Sequence, residues 1–146
     1  MKAHVKILFT IDRDDSESTE IESVWAIPID NGYKIDNIPF YAREIALGDI
    51  VSARPDADSM LRFEELVEPS QHSTVRLWFA VGSEGEVPRV RQELRQMGCS
   101  SERSDLNRLV AVDIPPSVVY AQIHTRLSKY EQEGLLEFEE ACLGKL

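Results

Sequence analysis

Residues 2–10 alternate His4, Lys6 and Leu8 against Val5, Ile7 and Phe9. A period of two, rich in β-branched and aromatic residues, predicts a strand that continues to about Asp12. The charged, serine-rich stretch 13–20, RDDSESTE, breaks the alternation and predicts a solvated connector. Alternation resumes over 21–29, with Val24, Ala26 and Pro28 on one face and Trp25, Ile27 and Ile29 on the other. Pro28 has no amide proton, which places this strand at an edge or at a bulge. Asn31-Gly32 readily takes the positive φ angles of a tight hairpin turn, so Tyr33 to Ile35 returns antiparallel. The run Asp36-Asn37-Ile38-Pro39 predicts a second turn, and residues 40–44 extend again. Ile45-Ala46-Leu47 leads to Gly48-Asp49, from which Ile50-Val51 opens another strand. Residues 60–67, MLRFEELV, alternate as a strand, although Phe63, Leu66 and Val67 also stand at helical spacing.

Residues 69–73, PSQHS, read as a linker. After it the rhythm changes. Residues 74–81, TVRLWFAV, form an apolar strand. Residues 87–97 follow as a helix with Val87, Val90, Leu94 and Met97 on one face; Pro88 suits its first turn and Gly98 its end. Residues 99–104 predict a short polar strand, turned at Asp105-Leu106-Asn107 into a strong strand over 108–114. Pro115-Pro116-Ser117 opens a second helix reaching about Glu133, with Val119, Ile123, Leu127 and Tyr130 as its buried stripe. Gly134 ends it, and residues 135–143 close the chain as a last strand. The expected fold class is α+β. A small antiparallel β-sheet or barrel-like meander over residues 1–68 precedes a ferredoxin-like βαββαβ half over residues 74–146.

The composition is that of a soluble globular protein with ample core material, at 42% hydrophobic and 29% charged residues. No apolar run approaches the roughly 18–20 residues that cross a bilayer, and the N-terminal patch is too short for a secretory leader. The expected location is the cytoplasm, and a membrane is not an expected partner. Charge changes the picture more. The net charge is −10, and residues 1–72 hold 15 acids against 7 bases while residues 73–146 hold 11 against 9. Such a balance argues against nucleic acid, which needs basic surface to displace counterions from phosphates. An acidic half can attract a basic protein partner and speed its encounter; solubility alone is the plainer reading of the same charge. Asp12, Asp14, Asp15, Glu17, Glu20 and Glu22 are the acidic residues expected to make that contact. Their spacing does not suit calcium, because an EF-hand loop counted from Asp12 needs a glycine where Glu17 stands.

No set of residues points to catalysis. His4, His72 and His124 lie in three different elements, and no Gly-x-Ser-x-Gly, phosphate-binding loop or His-Glu-x-x-His pattern occurs. His124 reads as a boundary histidine on the second helix. The GSEGE run at 82–86 precedes a helix, but Glu84 and Glu86 would repel a phosphate there. Trp78 and Phe79 read as core rather than as a stacking platform for RNA, since the strand RLVAVDI lacks matching aromatics. Arg76, Arg89, Arg91 and Arg95 form the basic concentration, which reads as a source of intramolecular pairs. Cys99 and Cys142 fit no zinc pattern. They belong at opposite edges of the second sheet, too far apart to bridge. No metal or cofactor is expected.

Between Trp25 and Val51 the chain also resembles a known family. Val24-Trp25-Ala26, Asn31-Gly32, the IDNIPF run at 35–40 and the ALGDIV run at 46–51 resemble the characteristic segments of the bacterial domain-of-unknown-function 4265 family. The resemblance implies a small, stand-alone cytoplasmic protein and assigns no catalytic residue. Physically, the same residues are turn and core formers. Asn37 and Pro39 shape a turn, Gly48 permits a bend, and Trp25, Phe40 and Ile50 pack. The expected function is therefore a non-enzymatic acidic protein-binding module, in its most concrete form an immunity or antitoxin-like inhibitor of a basic protein. The alternative is a small-ligand sensing or regulatory domain; an enzyme with an unrecognised site is the least favoured.

Overall fold

The structure is a computed structural model that describes residues 3–11 and 20–144. It is α+β, with largely antiparallel sheets and two α-helices among the described residues. Strands β1 (Val5–Ile11), β2 (Glu20–Ile29), β3 (Gly32–Ile35), β4 (Ile50–Pro55) and β5 (Leu61–Glu68) follow one another round a closed barrel. Five strands in up-and-down order leave the first and last running the same way. Closure is accordingly parallel, through Ile7 opposite Leu61 and Leu8 opposite Arg62. Alternation then sorts the side chains: Ile7, Phe9, Val24, Ala26, Ile35 and Val51 point inward and are buried. Residues 61–68 are a strand, and the helical spacing in that stretch is not used. Residues 27–29 of β2 run past the end of β1 and, among the described residues, pair only with β3, so Pro28 sits where one side of the strand has no described partner. At the hairpin, Gly32 has φ +146°, and a Cβ there would stand 2.6 Å from the carbonyl oxygen of Val51.

The second half runs β6 (Ser73–Phe79), α1 (Val87–Gln96), β7 (Ser100–Arg103), β8 (Leu109–Ile114), α2 (Tyr120–Gln132) and β9 (Leu136–Cys142). Its antiparallel sheet has the order β7-β8-β6-β9. Val75, Leu77 and Phe79 of β6 and Val110, Val112 and Ile114 of β8 meet Val90, Leu94, Ile123 and Leu127 of the helices in one core. Burying each such side chain contributes about 1.5–3 kcal/mol. Val119 does not join the helical stripe. The helix begins only at Tyr120, in residues freed from the Pro-Pro turn, and Val119 is 59% exposed. Cys99 and Cys142 are free thiols, one just before edge strand β7 and the other ending edge strand β9.

The other face of that sheet carries buried polar residues, Thr74, Arg76 and Asp113, because residues 36–49 lie over it. Residues 40–44, expected to extend as a strand, do not pair. The backbone groups of residues 40–42 go to side chains instead, and the Glu44 N–H reaches the Ala141 carbonyl. The Glu22 carboxylate accepts the N–H groups of Phe40 (2.6 Å), Tyr41 (3.1 Å) and Ala42 (2.8 Å). The carbonyls of Tyr41 and Ala42 accept from the guanidinium of Arg76, the former at 3.1 Å. One glutamate of the barrel thus holds residues 40–42 by their N–H groups, and one buried arginine of the second half holds Tyr41 and Ala42 by their carbonyls. Further along, Asp49 is buried and accepts the N–H groups of Ala46 (2.9 Å) and Ser70 (2.8 Å). The Ser70 hydroxyl donates to the Leu47 carbonyl, and Gly48 at φ +86° brings its backbone against the Ser70 side chain.

Arg76→Met keeps the bulk of the side chain and removes both donors, leaving two carbonyls unpaired. Its expected cost is about 2–3 kcal/mol, read as a lower urea midpoint with an unchanged slope. Glu22→Gln should cost about 1–2 kcal/mol by the same reasoning. The double variant should lose less than the sum, since either change loosens residues 40–42. Strict additivity would show that the two side chains do not share that segment.

Candidate functional site

Strand β5, sequence LRFEELVE, is organised differently at its two ends. Leu61 and Arg62 pair with β1, and Phe63 turns inward to stack on Phe9 with ring centroids 4.7 Å apart. Among the described residues, pairing with β1 ends at Arg62. Against β4 the strand is bulged twice, with Val67 and Glu64 as the extra residues. Bulges bend a strand and increase its twist, which carries the far half of β5 away from β1. Glu64, Glu65, Leu66, Val67 and Glu68 are all exposed, Leu66 by 41% and Val67 by 45%. Three carboxylates therefore flank two exposed aliphatic side chains on a strand with one side unpaired among the described residues. Glu64 has an exposed ion pair with Arg54 at 3.0 Å, of a kind that contributes little and is easily exchanged.

The acidic residues expected to contact a partner separate into three groups. Asp12, Asp14, Asp15 and Glu17 lie outside the described residues. Glu20 opens β2, is exposed and stands opposite Ile11. Glu22 is half-buried and its carboxylate is occupied by the three N–H groups of residues 40–42. A chain of six similar acids gives no warning that one of them is a structural anchor. The exposed end of β5 had a signal in the sequence, the Glu64-Glu65 pair interrupting alternation beside Leu66 and Val67.

Titratable groups elsewhere are held in separate local contacts. Nε2 of His4 lies 2.5 Å from the Asp36 carboxylate, and the same ring meets Trp25 edge-on. Nδ1 of His72 lies 2.8 and 3.1 Å from the two oxygens of Asp113. Burial pushes the Asp113 carboxyl up from its ordinary range, and the His72 contact opposes that rise. His124 packs its ring against Phe138 and Tyr120. Tyr130 donates to Glu93; that bond holds the Glu93 carboxyl down, while burial and the carboxylate push the Tyr130 hydroxyl up to about 12. No group of three His, Cys, Asp or Glu among the described residues is placed to hold a metal ion.

Two aromatic residues expected in the core are outside it. Trp25 is 46% exposed, with the Lys6 ammonium 5.0 Å from its ring centroid. Trp78 shares a strand with buried Phe79 but faces the other way. On that face residues 41–46 cover Thr74 and Arg76, and their cover stops short of Trp78, which is 38% exposed beside Arg108.

The sequence profile of the family described as a domain of unknown function, DUF4265, matches residues 22–138. A solved structure of a hypothetical protein from Neisseria gonorrhoeae superposes with a TM-score of 0.76 over 100% of this chain and 98% of that one. The two sequences are 20% identical, so the likeness shows a shared fold. No curated protein matches the chain. Among the described residues no helix is long and apolar enough to cross a membrane.

Burial pushes the Cys99 thiol up to about 11, with Asp113 adding to the rise, and burial followed by Asp49 and Glu44 does the same for Cys142. At pH 8 roughly a thousandth of each is thiolate, the reactive form. The folded protein should resist a thiol reagent at pH 8 and react faster as pH rises toward 11. In denaturant, without reductant, two thiols per chain should titrate at once. Rapid native modification at pH 8 would contradict this placement.

Proposed function

We propose that this chain, which belongs to the family of domains of unknown function DUF4265, is a non-enzymatic module that binds a basic protein. The observation that carries the reading is the far half of β5. Backbone groups on a strand edge that is unpaired among the described residues supply affinity for an incoming strand. Leu66 and Val67 supply apolar contact, and Glu64, Glu65 and Glu68 select positive charge. The occupant is a strand-forming segment of the partner in which lysine or arginine alternates with aliphatic residues. Capping a basic surface in this way is what an inhibitor of the immunity or antitoxin kind does, and that is the most concrete form of the proposal. The separation of the three histidines supports a binding role over catalysis.

The second half is read as a ferredoxin-like module. Support comes from its βαββαβ element order and from the sheet order, in which its first and third strands are central and its second and fourth are at the edges. In this reading it serves as the rigid base on which the barrel presents β5. The cytoplasm is the compartment proposed, on the two free thiols.

The test uses a fluorescent peptide of alternating lysine and valine, followed by anisotropy at low and moderate salt. The wild-type protein should bind it, with affinity falling as salt rises. The triple reversal E64K/E65K/E68K should weaken binding at least tenfold, and Leu66→Asp should weaken it without changing net charge by more than one. A matched reversal at Glu131, Glu133 and Glu137, on the second half, should leave most of the affinity intact. Reversal of Asp14, Asp15 and Glu17 measures the share of the acidic connector. Equal losses from the β5 and the matched reversals would mean that only overall charge matters, and would sink the assignment.

A further inference from the structure

The most basic part of this acidic chain is a groove of about 620 Å³ between α1 and the edge strand β7. Arg91 and Arg95 line it from the helix and Arg103 from the strand, with no carboxylate among the lining residues. Most other arginines among the described residues are paired with carboxylates, whereas Arg108 donates to the Phe79 carbonyl. Arg43, Arg54, Arg62, Arg89 and Arg126 each form an ion pair with an aspartate or glutamate. Arg91 instead donates from Nε to the Ser101 hydroxyl (2.9 Å) and from a terminal nitrogen to the Ser101 carbonyl (3.0 Å). Arg103 donates twice to the Asn107 carbonyl, at 3.0 and 2.8 Å. Neutral acceptors fix a guanidinium without cancelling its charge, and each of these two keeps further N–H donors free. Arg95 makes no ion pair or hydrogen bond among the described residues.

Three positive charges, two of them oriented in advance, therefore face one volume, and none of them is paired with a carboxylate among the described residues. We propose that this groove binds a small molecule carrying a di- or triphosphate. Guanidinium forks match phosphate oxygens in geometry and charge. Arg91 and Arg95 are one helical turn apart, ~6 Å along the axis, so charge spread over two or more groups engages both. Donors arrive from two walls, joined by the hydroxyls of Ser100 and Ser101. That arrangement suits the several oxygens of a phosphate chain better than the single plane of a carboxylate. The volume lies within the range of small-ligand sites, roughly 300–1,000 Å³. The groove is separate from β5, and the proposal stands or falls independently of the protein-binding reading.

Titration calorimetry of the full chain at low salt, with inorganic tripolyphosphate, ATP, orthophosphate and citrate, tests it. Tripolyphosphate and ATP should bind in a one-to-one ratio, with affinity dropping several-fold when salt is raised to physiological strength. Orthophosphate should bind at least tenfold more weakly. Arg95→Ala should weaken tripolyphosphate at least fivefold and Arg95→Glu should abolish binding. Both should leave the melting temperature of the free protein unchanged, because the side chain is exposed and unpaired. Arg89→Ala, on the same helix but paired with Glu86 and Glu93, should bind as wild type does. ATP binding more tightly than tripolyphosphate would show a contribution from the nucleoside, and equal affinities would place recognition in the phosphates alone. Absence of binding by both, equal binding by Arg95→Glu, or citrate binding more tightly than tripolyphosphate would overturn the proposal.

Discussion

The structure depends on the grip that Glu22 and Arg76 hold on residues 40–42. A segment without regular pairing must still satisfy its backbone groups when it is covered. Here a carboxylate takes three N–H groups and a guanidinium serves two carbonyls. Each charge finds its partners in main-chain dipoles of the opposite sense. Burial disfavours the charged form of Arg76, and the carboxylates of Glu139 and Glu22 favour it. The arginine is 4% exposed, so loss of its acceptors would leave a charge with little solvent. That asymmetry makes the segment hard to displace even though the net contribution of each hydrogen bond is small.

The same logic runs through the rest of the junction. Asp49 gathers the N–H groups of Ala46 and Ser70, Thr74 donates to the Ile45 carbonyl, and the N–H of Glu44 reaches the Ala141 carbonyl. Barrel and second sheet are thus joined by side-chain and main-chain hydrogen bonds along residues 36–49. Apolar contacts set how much surface is buried there, and Ile38, Ala42, Ile45 and Ala46 contribute them. Directional bonds set the register in which the two sheets meet. A hydrophobic face alone would tolerate sliding, whereas three N–H groups on one carboxylate would not.

How much of this was legible follows from what kind of interaction made each part. The strands and helices were legible because alternation and helical spacing report burial of one face directly, as Val24 and Ala26 or Val90 and Leu94 show. The closed order of the barrel and its bent β5 were legible only as strong bending. Residues 40–44 do not extend as expected, because they bend and are held by Glu22 and Arg76, which lie 18 or more positions away. Trp25 and Trp78 were misread for a related reason. Alternation tells which residues share a face, but not how far the cover on that face extends. Within the IDNIPF and ALGDIV runs, the turn-forming residues were legible in kind. The partners of Asn37, which accepts the Trp25 N–H, and of Asp49 were not. Of the candidate site, the acidity could be read and the division of labour could not. Glu22 and Glu64 look alike in the chain, and only the fold makes one an anchor and leaves the other in solvent.

That division also explains why net charge is a poor guide to where this protein can bind. A charge of −10 describes the distant field. Within a Debye length, about 8 Å at physiological salt, a ligand responds to the charges nearest it and to whether those are already paired. Arg89 carries the same charge as Arg95, yet Glu86 and Glu93 surround it and raise its affinity for its proton. Arg91 and Arg103 are tethered to a hydroxyl and to carbonyls, so their fields reach outward. The far half of β5 is the counterpart, with Glu65 and Glu68 forming no ion pair among the described residues. Surfaces of opposite sign lie on different elements of one small chain, β5 in the barrel and α1 with β7 in the second half. Pairing, more than composition, determines which of them is available.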